Sequence, residues 1–519
     1  MLRFGSKSLV VAGVLLLPVC TIEVSAQGPS SGGLTLLDAV RTSVLKHPSL
    51  RAQEAQIEFY VGTREQSTGA FDWLSQSGLA HNRQSAFGNS SQLIDTTNNT
   101  SYSASVTRLF RNGLLLAPSF QLNSTTDNLD FPAGASSYAM GLQLTVPLLR
   151  GRGRGVVAAQ EDAASLQVKA ARYDLNFLVS QVMATAASSY WNVVAANKLL
   201  VIAQEAEDRG TAYVDNTRAL INADHVPRND LNGATANLAQ RSSARIAAEL
   251  ALATAQQQLK LDMGLSAVDI VNVLPLPIDE FPPSYGVPVP SDSTPSLQYY
   301  VDQALQRRGD YLAQLQRSQA SSVLLVAARN ALLPQANVTF AAGYSSFHQA
   351  PQPSVVQAYS SALEPNISAN INYSFPFRNN AAHGTLLQAQ ATAKQASLQA
   401  EESAREISQS IMVAVLGVRL AAARIEKAQR SVEFFKASLA GTRERYRVGL
   451  GSVVEILTIE DKLTGSLEDE VDAQLSHALA ITQFRLVTGT LVTPDQAQQD
   501  VPLNNFLTAP FTGAPESQP

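Results

Sequence analysis

The 519-residue chain has room for several domains, and its 45% hydrophobic content excludes disorder as the overall state. Charged residues make up only 16% and the net charge is −5, so no basic field points to nucleic acid or to an anionic membrane surface. After the first 20 residues no stretch of about 20 apolar residues occurs, which excludes a polytopic helical membrane protein.

The chain opens as an export signal. Arg3 and Lys7 precede the apolar run Leu9–Val19, and Val24-Ser25-Ala26 forms a small-residue cleavage site before Gln27. Residues 1–26 are set apart as a signal peptide. The apolar run is too short to span a bilayer, which counts against an anchor. The single cysteine, Cys20, would be the acylated residue of a lipoprotein; the bulky Val19 before it speaks against that, and the sequence leaves the matter open. Cleavage after Ala26 leaves a mature chain without disulfides, thiolate metal sites or cysteine nucleophiles.

Two copies of one plan follow. Thr35-Leu36-Leu37-Asp38 opens a helix with an N-cap residue and an acid three positions on, and Ser296-Leu297 opens a second one 261 residues later. Each continues as an Ala-, Gln- and Arg-rich helix of about 35 residues and gives way to alternating strands. The strands end at Val146-Pro147-Leu148 and at Phe375-Pro376-Phe377, an offset of 229. Pro147 and Pro376 mark passages where a strand turns into a helix. The two offsets differ by 32, so the first copy carries that surplus in its strand region. Asn112-Gly113 lies there between two strand-like runs and signals a hairpin. Whether that hairpin joins the sheet or caps it is not decided by the sequence. Very long helices come next, roughly over 155–222 and 381–448, and each returns after a short turn as a helix over roughly 228–263 and 453–488.

The strands alternate with period two. Ile367, Ala369, Ile371, Tyr373 and Phe375 interleave with Ser368, Asn370, Asn372 and Ser374, and Tyr138, Met140, Leu142, Leu144 and Val146 with Ala139, Gly141, Gln143 and Thr145. That is the pattern of a transmembrane barrel strand, although a soluble half-buried strand alternates in the same way. The long helices carry coiled-coil stripes such as Ile407, Ile411, Val415, Val418, Ala422 and Ile425. A helix of about 68 residues spans roughly 100 Å, which no ordinary globular domain holds. One copy has too few strands to close a barrel, and an open strand edge cannot sit in lipid. Several chains must then close it as a symmetric oligomer.

The chain resembles the TolC family of outer-membrane channel proteins over about 35–490. The resemblance rests on Leu36-Leu37-Asp38-Ala39-Val40 leading to His47-Pro48, on the passage from Val146-Pro147 to Arg150-Gly151, and on the turn from Tyr446-Arg447-Val448-Gly449 to Glu455-Ile456-Leu457. It implies a mainly α protein with β: a homotrimer with a 12-stranded outer-membrane β-barrel and a long periplasmic α-helical coiled-coil barrel built by internal duplication. The chain then divides into a first repeat, 27–263, an equatorial linker, 264–295, a second repeat, 296–488, and an equatorial segment with a flexible tail, 489–519. The resemblance also implies an exit channel of a tripartite efflux or type I secretion system, gated at its periplasmic tip. Its partners would be a periplasmic adaptor, an inner-membrane pump of the RND or ABC type, and outer-membrane lipid. Tyr446 and Asp230 match a pair that ties neighbouring helices shut, and Glu455 matches an acidic ring at the constriction. Gly451 and Thr458 depart from the family, standing where some members have an arginine and a second acidic ring. Asp224, Gly449 and Gly451 occupy the tip turns that would meet the adaptor.

Catalytic constellations are missing from the sequence. No zinc-protease, nucleophile-elbow or phosphate-loop motif occurs, and the histidines are scattered, so neither an enzyme, a metal nor a cofactor is expected. Gly151-Arg152-Gly153-Arg154-Gly155 is too short of arginines and aromatics for a nucleic-acid patch, and reads as a flexible strand-to-helix join. The rival reading is a coiled-coil envelope spacer or adhesin without a pore, against which the alternating strands argue.

Overall fold

A computed structural model describes residues 33–87, 94–128, 131–223, 227–283, 297–349, 364–447, 450, 452–492 and 503–508. The expected signal peptide with Cys20 and the tail beyond Thr508 lie outside these residues. The first half runs α1 (Leu36–Lys46), α2 (Pro48–Thr68), β1 (Leu74–Phe87), β2 (Ile94–Leu109), β3 (Leu115–Asp127), β4 (Ala135–Pro147), the one-turn α3 (Arg154–Val157), α4 (Ala159–Asn222) and α5 (Asp230–Asp262). The second half runs α6 (Leu297–Arg307), α7 (Gly309–Asn330), β5 (Gln335–His348), β6 (Glu364–Ser374), α8 (Asn380–Arg447) and α9 (Val453–Val487), with a short α10 (Asn504–Leu507).

The opening helices differ from the expectation of one continuous rod. Each is broken at the same relative place. His47 adopts φ −64° and ψ 124°, the extended conformation that Pro48 imposes on its predecessor. Arg308, 261 positions on, adopts φ −69° and ψ 120° without any proline. Each break receives the chain just past a returning helix. Gly264, at φ +68°, lies so close that an added Cβ would be 2.5 Å from the His47 Cα, and Gly489, at φ +65°, lies against Arg307 and Arg308.

The helices form a row of four columns. The α2 and α5 helices lie end to end along α4, which packs on a second end-to-end column of α7 and α9, and that column packs on α8. With 64 residues, α4 is about 96 Å long. Its middle holds the largest core. Trp191 and Tyr190 are fully buried, and Trp191 stacks on Phe281 at 5.7 Å. The Tyr190 hydroxyl donates to the Asp279 carboxylate at 2.8 Å and lies 3.0 Å from Leu34 O, and Asp279 also accepts from Leu36 N. This knot ties the start of the described chain and the linker after α5 to the waist of the helices.

All six strands form one antiparallel sheet in the order β1-β2-β3-β4-β5-β6. The Asn112-Gly113 hairpin therefore joins the sheet, as the β2–β3 turn. Phe110 N donates to Leu114 O at 2.8 Å, Gly113 N to Phe110 O at 2.8 Å, and Gly113 takes φ +97°. A twelve-stranded trimer needs four strands per chain, and this chain supplies six. The surplus in the first half is thus two extra strands within the ladder. One face is apolar across β3 to β6, where Leu122 is registered with Tyr138, Met140 with Tyr344 and Val338 with Ile371; on β1 and β2 the same face carries Leu79, Tyr102 and Ala104 beside the polar Ser77, His81, Arg83, Asn98 and Thr100. On β6 it is bare, with Ile367 86% and Ile371 76% exposed. Every residue of β6 is exposed, as is β1 from Leu74 to Ser85, so the sheet ends in two unpaired edges.

Candidate functional site: the helical tip

The far end of the helices is where α4 turns into α5 and α8 into α9. Asp224, Gly449 and Gly451 fall outside the described residues. Ser452 caps α9, its hydroxyl accepting from Val454 N at 3.2 Å, which fixes the start of the returning helix. Glu455 follows in the first turn. Arg445 donates to it at 2.5 Å across the turn, so this carboxylate carries its own counter-charge.

Tyr446 is the penultimate residue of α8 and is half-buried against a seam that includes Leu439, Ile456 and Leu463. Asp230 is the first residue of α5 and is exposed. No hydrogen bond joins the two within the chain among the described residues. Tyr213 of α4 lies near both. Its phenol is pushed up first by burial, with Tyr446, Asp230 and Glu460 adding to the shift.

Further up the same hairpins lies a cluster that sequence reasoning missed. Arg241 of α5 is only 7% exposed, and its guanidinium donates to Ala206 O of α4 at 3.0 Å. It also reaches the Glu460 carboxylate at 3.4 Å and that of Asp461 at 3.1 Å, both on α9. Arg443 of α8 donates to the other Glu460 oxygen at 2.8 Å. One buried carboxylate thus links α5, α8 and α9, and its arginine holds α4. The signal was present: Glu460 occupies a seam position four after Ile456 and three before Leu463, where coiled-coil spacing calls for an apolar residue.

At the other end, the passages at Pro147 and Pro376 differ. Pro147 is buried and Pro376 exposed. After Pro147 the chain stays tied to the second half, with Leu148 N donating to Ala336 O and Gly151 N to the Asn330 side chain, both at 2.8 Å. The Gly-Arg stretch is partly neutralised, Arg154 lying 3.6 Å from Asp162. Among the described residues no group of His, Cys, Asp and Glu is placed to hold a metal ion.

Residues 300–490 match the family model described as outer membrane efflux protein. The outer membrane protein TolC of Vibrio cholerae is 26% identical over 201 residues, 37% of this chain and 42% of that protein, so the match spans less than half of that relative. Among solved structures, the CmeC outer membrane channel of Campylobacter jejuni aligns with a TM-score of 0.62 at 16% identity, covering 89% of this chain and 87% of that one. CusC aligns with a TM-score of 0.65 at 14% identity, covering 89% and 95%. The structural likeness establishes the fold of an outer membrane channel protein over almost the whole described chain, and residues 300–490 carry the sequence match to the outer membrane efflux protein family.

Proposed function

We propose that the protein is the outer-membrane exit duct of an envelope-spanning exporter, either a tripartite efflux or a type I secretion system. It conducts cargo passively and performs no chemistry. The observation that carries this reading is the union of a sheet with two unpaired edges and one bare apolar face with helical hairpins about 100 Å long. The edges are satisfied when β6 of one copy pairs with β1 of the next, and three copies close the ring. The apolar sheet face then meets outer-membrane lipid, and the helices extend into the periplasm as a tube. Exposed apolar side chains along the helices, such as Ile246 and Leu250 on α5 and Val413 and Leu420 on α8, fit contacts between copies.

In this reading the tip is the gate, and Tyr446, Asp230 and Glu455 close it. Arg445 beside Glu455 offsets part of each carboxylate's charge, so the constriction attracts cations less than a bare acidic ring would. The turns holding Asp224, Gly449 and Gly451 meet a periplasmic adaptor. No phosphate loop is encoded, so energy comes from an inner-membrane pump of the RND or ABC type.

The test is the membrane fraction and mass of the detergent-extracted protein, followed by planar-bilayer recording. A trimer from the outer membrane with a small conductance that rises in the Tyr446→Phe, Asp230→Ala double variant is expected. A pore that stays blocked in that variant overturns the gated duct. A soluble monomer without heat-modifiable migration would bring forward the pore-free spacer.

A further inference from the structure

We infer that the outer-membrane pore of this protein is half again as wide as a twelve-stranded one, because three six-stranded sheets close it with eighteen strands. The inference rests on the three-copy duct reading. Its first support is the continuity of the ladder. β1 is paired with β2 from Leu74–Thr107 to Phe87–Ile94, and β2 with β3 from Leu109–Leu115 to Thr97–Asp127. A twelve-stranded ring has no place for two of these strands, and ejecting β1 and β2 would strip the long β2–β3 ladder of its partners.

The second support is the stagger. Following one row of paired residues across the sheet gives Ser77, Ala104, Phe120, Met140, Tyr344 and Pro365. Measured from the helix-side end of each strand, the row begins three residues above Leu74 on β1 and ends nine residues above Ser374 on β6. A climb of six residues at about 3.3 Å over five gaps of about 4.8 Å tilts the strands by about 40° from the axis. Closed barrels have tilts of roughly 35–45°. All six strands, the surplus pair included, share this barrel geometry.

The third support is width. At that tilt each strand takes up about 6.3 Å of circumference, so six strands subtend about 38 Å and four only about 25 Å. The four helix columns below, spaced about 9 Å apart, subtend about 36 Å per chain. Six strands continue the helical tube at its own width, whereas four would require it to taper. Eighteen strands give a backbone diameter of about 36 Å against about 24 Å for twelve.

The face opposite the lipid is lined by small uncharged groups through the middle of the strands. Gln76, Ser103, Ser119, Gly141, Gly343 and Asn366 alternate with the row from Ser77 to Pro365. A wide, hydrated and uncharged passage neither sieves nor selects. Size and charge selection then fall to the helical tip, and the barrel admits bulky hydrophilic cargo.

Electron cryo-microscopy of the full mature trimer in lipid nanodiscs tests this directly. Eighteen strands around the ring are expected. Twelve strands with β1 and β2 outside the ring would overturn the inference and leave the duct reading standing. Absence of any three-chain barrel would overturn the duct reading as well. Cysteine pairs give an independent measurement: Gln76→Cys on β1 with Asn372→Cys or Ser374→Cys on β6 should link neighbouring chains into covalent trimers on oxidation. A twelve-stranded ring that starts at β3 leaves them unlinked, and a link within one chain shows a sheet closing on itself; either result refutes the proposal.

Discussion

The Arg241 cluster gives the sharpest quantitative prediction. Replacing Arg241 by Ala leaves the Glu460 carboxylate, 7% exposed, with only the half-exposed Arg443, and removes the side-chain donor that Ala206 O has in addition to its place in the α4 helix. Asp461 is 58% exposed and returns to water at little cost. Breaking a fully buried pair by removing one partner costs about 3–5 kcal/mol; the surviving Arg443 contact and water entering the vacated space reduce this to about 2–3 kcal/mol. The loss is local, because the Trp191 core lies far up the helices. Native-state hydrogen exchange on the assembled protein reads it directly. Amides around 234–245 of α5 and 456–464 of α9 should exchange roughly 30- to 150-fold faster, while those around Trp191 stay unchanged. Unaltered protection at the tip would refute the reasoning, as would equal acceleration in the core. Arg241→Met combined with Glu460→Leu should restore protection, since an apolar pair of similar volume can replace a buried ion pair without loss.

Three further outcomes follow from single positions. Trp191→Ala removes a fully buried ring stacked on Phe281 and should cost about 3–5 kcal/mol, seen as a markedly lower thermal midpoint and reduced membrane yield. An unchanged midpoint would show that the waist core is not a stability determinant. His477 is 5% exposed with Nδ1 unpartnered, and burial lowers its pKa. The unfolded chain takes up a proton below about pH 6.5 that the fold resists, so stability is full above that pH and falls as the pH drops. His477→Leu should flatten this slope in denaturation compared at pH 7.5 and 5.5, and parallel slopes would exclude the effect. Gly113→Val meets both a φ of +97° and a Cβ position 2.3 Å from Gly151 O. The share of protein showing heat-modifiable migration should fall, and a normal share would mean that the β2–β3 turn does not guide barrel formation.

What was legible in the sequence was what periodicity dictates. The long helix expected over 381–448 spans Asn380–Arg447, because its stripe is unbroken and its neighbours need close approach. The break at His47 was written in Pro48, but the break at Arg308 was not. There Gly309 packs so tightly on α4 that a Cβ would lie 2.2 Å from Tyr173 O, a constraint set by tertiary contact alone. Asn112-Gly113 announced its turn, yet alternation looks the same in a strand that joins a sheet and in one that caps it. Only the register settles which. At the tip, the resemblance pointed to Tyr446 and Asp230, whereas the observed links of Arg241, Glu460 and Arg443 depend on which helix faces meet.

The placement of Glu460 bears on why the tip is built this way. Its seam neighbours are Ile456, Ile459, Leu463 and Leu467, so a leucine at 460 would have been the more stabilising choice. A carboxylate there instead fixes the register of α5 against α9 through one arginine, as a polar residue at a coiled-coil core position does. It also changes what separation costs. Parting an apolar seam exposes surface with no compensation, whereas parted arginine and carboxylate groups regain hydration. The hairpins at the tip then part, in the duct reading, more readily than the waist, which Trp191 and Tyr190 close. In the duct reading, the Arg241→Met, Glu460→Leu protein should be as stable as the parent or more so, yet open less often in bilayer recordings. A variant that is stabilised and opens as freely as the parent would show that the charged seam serves register alone.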